Sequence, residues 1–253
     1  MLEERSAISN NDKKKPLGAR LGEGFFCVIY LVYTFALVFI MKGRYDSLSA
    51  GTESIVPTAD NMEIYRYGFG YMLALLLVGG DAFHLIPRII YDFRGKLEKK
   101  DFLFGLGSLI SSITMTVFYN ILISFGDTLE YNENMYNLFI EKSILVLTII
   151  RILILLLPWN RWYTSEPNRK WAIIRNTPFM IIGLLIVCGF INILNYTHNY
   201  SRSFYIIIMI TVIFSFIFYL PVAVFGKEKP AVGMLMIPKT ICYMIMLSVI
   251  CFY

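Results

Sequence analysis

Seven long apolar stretches constrain the fold of this chain more than any other feature of its sequence. The hydrocarbon core of a bilayer is about 30 Å thick and is crossed by about 20 helical residues. Stretches of that length lie near residues 24–42, 67–90, 102–125, 139–157, 172–194, 204–225 and 231–253. Because lipid offers no partners to backbone groups, such segments cross a membrane as helices. The sequence predicts an all-α, polytopic membrane bundle of seven transmembrane helices.

Polar residues lie mostly outside these stretches. Apolar residues make up 57% of the chain and charged residues 16%, which leaves no segment for a separate water-soluble domain. We predict a cytosolic polar tail over residues 1–23 and a seven-helix transmembrane domain over residues 24–253. The apolar run that follows the tail is too long for the core of a signal peptide, so we expect the first span to be retained.

Basic residues in the loops predict the orientation, because cytosolic loops carry an excess of Lys and Arg. Fourteen Lys and Arg residues lie in the tail and in the loops after spans two, four and six, whereas four lie on the opposite side. The amino terminus is therefore predicted to be cytosolic and the carboxyl terminus external, in a cell membrane that we expect to be a bacterial plasma membrane. The same bias explains the net charge of +5 without a nucleic acid partner.

Asp81, His84 and Arg88 interrupt the second apolar stretch. Their spacing of i, i+3 and i+7 places them on one face of a helix. A charged side chain in hydrocarbon costs several kcal/mol, so we expect this face to look into the bundle or into a wet cavity. At 1.5 Å per residue, Asp81 lies about 15 Å from the cytosolic end of its span.

Charged residues of two other spans are predicted to lie in the same half of the bilayer. Lys239 lies about 12 Å from the cytosolic end of span seven, and Arg151 lies about 9 Å from that of span four. Small and hydroxylated residues follow one side of span three, where Ser112 and Tyr119 are candidates to line a pocket that faces Asp81. Two interpretations stay open: a functional polar site, or a buried ionic network without chemistry.

The sequence shows no pattern of metal ligands. Neither its two histidines nor its four cysteines have the spacing of a zinc site, and we expect no metal and no cofactor. The cysteines lie within predicted spans and are interpreted as small apolar residues. Lys239 in the seventh span also permits a retinal Schiff base with Asp81 as the counter-ion, but no other feature marks a retinal pocket.

The run Gly80-Asp81-Ala82-Phe83, followed by Leu85-Ile86-Pro87-Arg88, resembles the lysoplasmalogenase (YhhN-like) family of membrane hydrolases. Members of that family have a Gly-Asp-x-x-Leu type of element inside a span. The likeness continues through Phe104-Gly105-Leu106-Gly107-Ser108 to Tyr119 and covers about residues 70–120. The family positions that this sequence matches are Gly80, Asp81 and Tyr119.

The resemblance implies a hydrolase that cleaves the vinyl ether of lysoplasmalogen-like lipids from the cytosolic leaflet. Such a reaction begins with protonation of a carbon atom. The proton donor is Asp81 or, if Asp81 is paired with a cation, His84, in which case Asp81 stabilises the oxocarbenium-like charge. The candidate substrate-binding residues are Arg88, Ser112, Tyr119, Arg151 and Lys239. The expected partner is a membrane lipid; the alternative is a non-enzymatic transporter, lipid-binding protein or sensor with a buried network of Asp81, Arg151 and Lys239.

Overall fold

The computed structural model describes residues 17–50, 61–130, 135–164, 169–197, 200–226 and 230–253. Throughout these ranges the chain is helical or irregular and contains no strand. The α-helices are α1 (Leu17–Ser49), α2 (Met62–Arg94), α3 (Lys100–Glu130), α4 (Met135–Leu156), α5 (Arg169–Asn195), α6 (Arg202–Phe225) and α7 (Met236–Phe252). Two 3-10 segments, Pro158–Asn160 and Pro230–Leu235, follow α4 and precede α7.

Six helices in the described ranges are long and apolar enough to cross a membrane, so the chain is a multi-pass membrane protein. The α4 helix is the exception. It has 22 residues, but every 18-residue stretch of it contains Glu141, Lys142 and Arg151. The count of seven spans and the orientation of the termini therefore stay predictions.

Six of the helices extend beyond the predicted spans at one or both ends, because backbone hydrogen bonding continues into the interface after the apolar stretch ends. The α7 helix is the exception: it begins at Met236, after a 3-10 segment, although the predicted span began at residue 231. The α1 helix begins at Leu17, inside the segment assigned to the polar tail, while residues 1–16 of that tail lie outside the described residues. The α2 helix ends at Arg94 and is followed by Gly95, whose φ of 71° is left-handed. Glycine adopts this conformation without strain, which makes it a common helix terminator.

Consecutive helices pack side by side, and α7 returns to contact α1 and α2, which closes the bundle. The α3 helix also contacts α5 across the interior. Large apolar side chains cover the outer surface, among them Phe39, Phe139, Leu153 and Leu184, each more than half exposed. Such a surface is suited to lipid contact, since a water-soluble protein rarely exposes apolar patches of this extent.

The α2 and α3 helices approach each other closely at two glycines. A Cβ atom added at Gly107 of α3 would collide with the carbonyl oxygen of Phe83 and would lie 2.8 Å from the Cα of His84. A Cβ atom added at Gly80 of α2 would lie 2.7 Å from the Cβ of Thr114. Small residues allow the backbones of membrane helices to touch, and here they fix the polar face of α2 against α3.

Substitution of the two adjacent glycines of α2 tests this close approach. Gly80→Ala is expected to destabilise the protein by about 1–3 kcal/mol, because overpacking must separate the helices. Rotation of the Thr114 side chain gives no relief, since its Cβ is fixed to the backbone. Gly79→Ala is the matched control: a Cβ there meets nothing within 4 Å. Equal thermal unfolding midpoints of the two variants in detergent would contradict the packing.

The predicted topology can be tested with reporters fused to the carboxyl terminus. We expect an alkaline phosphatase fusion to be active and a green fluorescent protein fusion to be dark, because an odd number of spans from a cytosolic amino terminus ends outside. Fusions at Gly95, in the α2–α3 loop, should give the opposite result. A fluorescent carboxyl-terminal fusion would contradict the seven-span topology.

Candidate functional site

Asp81, His84 and Arg88 share one face of α2, as their spacing predicted, and all three line a narrow cavity between α1, α2 and α7. This cavity, of about 40 Å³, is lined by Tyr30 on the α1 side and by Lys239 on the α7 side. The polar face therefore looks into the bundle rather than towards lipid.

Asp81 is held by two hydroxyl groups. The hydroxyl of Tyr30 donates to Oδ2 at 2.7 Å, and that of Ser111 donates to Oδ1 at 2.9 Å. Across the residues that the structure describes, no Lys, Arg or His nitrogen lies within 4.0 Å of this carboxyl group. Asp81 is thus fixed by neutral donors, and both of its oxygens act as acceptors.

A larger cavity of about 280 Å³ lies between α2 and the later helices. Four basic side chains from four helices line it: Arg88 of α2, Arg151 of α4, Arg175 of α5 and Lys239 of α7. His84 lines it as well, and none of its described lining residues is acidic. We name this space the cationic cavity.

Arg151 is the most deeply buried of these basic residues, with 1% of its surface exposed. Its Nη1 donates to the hydroxyl of Thr116 at 2.9 Å, and its guanidinium carbon lies 3.5 Å from the centre of the Phe179 ring. Its Nε is buried and has no hydrogen-bond partner. The Thr116 hydroxyl, the Phe179 ring and the neighbouring Tyr219 side chain compensate the charge only partly, and no carboxylate pairs with this guanidinium in the described ranges.

Lys239 and Arg175 also lie against aromatic rings. Residue Lys239 is 6% exposed, and its Nζ lies 4.8 Å from the ring centre of Tyr219 and 5.3 Å from that of Tyr243. The guanidinium carbon of Arg175 lies 4.4 Å from the ring centre of Trp162. Neither residue pairs with a carboxylate anywhere in the described ranges. Cation–π contact therefore takes the place of ion pairing around the cationic cavity.

A third cavity, of about 480 Å³, reaches from the cationic cavity to the loops at one end of the bundle. Lys100 and Asp101 line it at the start of α3, and Asn160 and Thr164 line it after α4. It shares with the cationic cavity His84, Arg88, Ser108, Trp162, Arg175 and Gly226. The polar site is therefore connected to the end of the bundle that the basic residues predict to be cytosolic.

The structure brings together six of the seven candidate site residues. Around the adjoining narrow and cationic cavities lie Asp81, His84, Arg88, Ser112, Arg151 and Lys239. Tyr119 lies apart. It is fully buried, its hydroxyl is 2.8 Å from that of Ser215 and 3.2 Å from that of Tyr243, and it lines neither cavity. Tyr119 borders the site indirectly, through Tyr243, which lies beside Lys239, and through Phe179, which lines the cationic cavity.

Sequence reasoning missed three residues of the site. Arg175 carried a usable signal, because it is a basic residue inside the predicted span 172–194. Tyr30 and Ser111, the two donors to Asp81, carried no signal of their own, since a tyrosine or a serine in a span is ordinary. Which hydroxyl meets Asp81 depends on how each helix is rotated, and hydropathy does not specify that rotation.

Cysteines and acidic residues do not form a metal centre in the described part of the chain. No three His, Cys, Asp or Glu side chains come together there. All four cysteines are free: Cys27, Cys242 and Cys251 are buried, and Cys188 is exposed.

Three comparisons with known proteins were made for the whole chain. Comparison of the chain with family models, with curated proteins and with solved structures finds no match in any of the three. The lysoplasmalogenase resemblance stays a prediction that rests on the residues which carry it. The structure itself shows a multi-pass helical membrane protein with a buried cationic cavity.

Proposed function

We propose that this protein binds an amphiphile with an anionic headgroup, of the lysophospholipid kind, and hydrolyses its ether bond beside Asp81. The observation that carries the proposal is the cationic cavity, in which four basic side chains meet with no acidic side chain among its described lining residues. Charged nitrogen donors bind phosphate oxygens strongly. His84, Arg88 and Lys239 line both this cavity and the narrow cavity that contains Asp81, so a headgroup in one lies next to the carboxyl group in the other.

The narrow cavity supports an amphiphile rather than a fully polar ligand. Its walls include Phe26 of α1, Leu85 of α2, and Met234 and Ile237 near the start of α7. Met234 is 54% exposed on the outer surface. A hydrocarbon chain that leaves the cationic cavity past Asp81 would therefore meet apolar side chains on its way to the bilayer.

The proposed reaction is hydrolysis of a vinyl ether. Asp81, which has no cationic partner within 4.0 Å in the described ranges, delivers a proton to the vinyl carbon that does not bear the oxygen. The carboxylate that remains stabilises the positive charge that develops on the other carbon and on the ether oxygen. Water adds to that carbon and loses a proton. The carbon–oxygen bond then breaks, and the products are an aldehyde and the glycerol hydroxyl.

A second candidate is a non-enzymatic protein that binds or transports the same amphiphile. The observation that favours it is the pair of hydroxyl donors to Asp81, from Tyr30 and Ser111, which occupies both carboxyl oxygens before a ligand arrives. In that case Asp81 holds α1, α2 and α3 together, and the basic residues account for the function. This candidate predicts binding without product.

Incubation of the purified full chain in nanodiscs with a lysoplasmalogen, and in parallel with the 1-alkenyl glycerol 3-phosphate of the same chain length, tests the proposal. Release of aldehyde is measured with a coupled alcohol dehydrogenase, and nanodiscs without protein serve as the control. We expect aldehyde above the control. If the wild-type protein binds the lipid and releases none, hydrolysis is refuted and the second candidate is supported.

A further inference from the structure

We infer that the cationic cavity takes a phosphate monoester in preference to a phosphodiester headgroup that carries choline or ethanolamine. The inference rests on the proposed function only in placing the ligand in the cationic cavity. It does not depend on hydrolysis of an ether. It concerns the headgroup, which neither the Asp81 motif nor the chemistry of the ether bond specifies.

The balance of charge in the cavity is the first support. Arg88, Arg151, Arg175 and Lys239 line it, and no carboxylate does so within the described residues. A phosphate monoester carries close to two negative charges at neutral pH, whereas a phosphodiester carries one. A choline or ethanolamine group restores a positive charge and brings the net charge of the headgroup to zero. Because the interior screens charge poorly, the headgroup with the larger negative charge neutralises this cavity best.

The aromatic rings around the cavity are the second support. A quaternary ammonium group is usually bound against aromatic faces. Here the face of Phe179 is covered by Arg151, and the face of Trp162 is covered by Arg175. Lys239 lies over the rings of Tyr219 and Tyr243. The protein's own cations already occupy the rings that a choline headgroup would need.

The distribution of donors is the third support. Arg151, which is 1% exposed, lines the cavity and pairs with no carboxylate in the described ranges. The hydroxyls of Ser108 and Ser112 donate to carbonyl oxygens of their own helix, at 2.7 and 2.6 Å, so charged nitrogens remain as the donors for a ligand. Asp101 lines only the outer cavity, next to Lys100. The cationic cavity therefore offers charged donors to phosphate oxygens, while the carboxyl groups of Glu23 and Asp81 line the adjoining narrow cavity.

Calorimetric titration of the full chain in a non-ionic detergent tests the inference. The probes are inorganic phosphate, glycerol 3-phosphate, a lysophosphatidic acid, and a lysophosphatidylcholine with the same acyl chain. We expect the lysophosphatidic acid to bind at least about tenfold more tightly than the choline lipid, which corresponds to one charged hydrogen bond. Arg175→Gln should weaken its binding by about tenfold or more. Arg94→Gln removes an exposed charge that lines none of the three cavities, and should change the affinity little.

Each outcome decides the inference. Tight binding of glycerol 3-phosphate as well as the lipid supports it and identifies a water-soluble ester as a ligand; binding of the lipid monoester alone supports it and identifies a membrane source. Equal or tighter binding of the choline lipid overturns it, as does an unchanged affinity in Arg175→Gln or no binding of any monoester. A preference for the monoester without aldehyde release supports the inference about the headgroup and refutes hydrolysis. Aldehyde release without a preference for the monoester supports hydrolysis and refutes the inference about the headgroup.

Discussion

Asp81→Asn is expected to reduce aldehyde release by roughly a hundredfold to ten-thousandfold, the range found when a charge that stabilises a transition state, or a general acid, is removed. The amide has nearly the shape of the carboxyl group, and its oxygen can still accept a hydrogen bond from Tyr30 or Ser111. The negative charge beside the developing cation is lost. Binding of the lipid should stay within a few-fold, because the basic residues of the cationic cavity are unchanged.

Asp46→Asn is the matched control for this substitution. Asp46 is an exposed carboxylate in α1 that pairs with Lys42 at 2.8 Å, and a surface pair of this kind contributes little to stability. Full activity in Asp81→Asn would contradict a role for the carboxylate in the reaction. A loss of lipid binding together with a lower unfolding midpoint would identify Asp81 as a structural residue that joins α1, α2 and α3.

Arg151→Met is expected to abolish anion binding and, at the same time, to stabilise the ligand-free protein. Methionine fills much of the volume of the arginine stem and removes a buried charge that has no carboxylate partner. Replacement of buried ionic groups by apolar residues of similar volume stabilises proteins by up to about 4 kcal/mol. The opposing loss is one hydrogen bond to Thr116, the contact with Phe179 and the interaction with Tyr219. We therefore expect a higher thermal unfolding midpoint in the absence of ligand.

Lys142→Met provides the comparison on the same helix. Lys142 is exposed near the start of α4 and lines none of the three cavities, so its loss should leave both the midpoint and anion binding nearly unchanged. A lower midpoint in Arg151→Met would show that Arg151 is retained for packing. Unchanged anion binding in that variant would remove the deepest residue from the proposed site.

The face of α2 was predictable because it depends on one helix alone. Residues 81, 84 and 88 share a side of any α-helix, and the cost of a charge in lipid indicates which way that side looks. The depths estimated along the helix for Lys239 and Arg151 predicted that both lie in the same half of the bilayer as Asp81, and in the structure both line the cationic cavity. The cytosolic side of that half rests on the basic loops and stays a prediction.

Contacts between helices could not be predicted in the same way. Successive residues of a helix differ by about 100° in direction, so the choice between Ser111 and Ser112 as the donor to Asp81 depends on the rotation of α3. Close packing at Gly107 sets that rotation. Tyr119 is turned into a buried contact with Ser215 by the same rotation. These contacts depend on how the helices pack in the assembled bundle, and they could not be predicted from one sequence.

Anomalous diffraction from crystals of the full chain grown with selenate tests the cationic cavity most directly. Selenate is a tetrahedral dianion with the charge and shape of a phosphate monoester headgroup, and selenium locates it without reference to the protein map. We predict an anomalous peak within hydrogen-bond distance of Arg151 and of at least one of Arg175 and Lys239. A map in which selenate occupies only the protein surface, with a carboxylate inserted among these basic side chains, would contradict the proposed site.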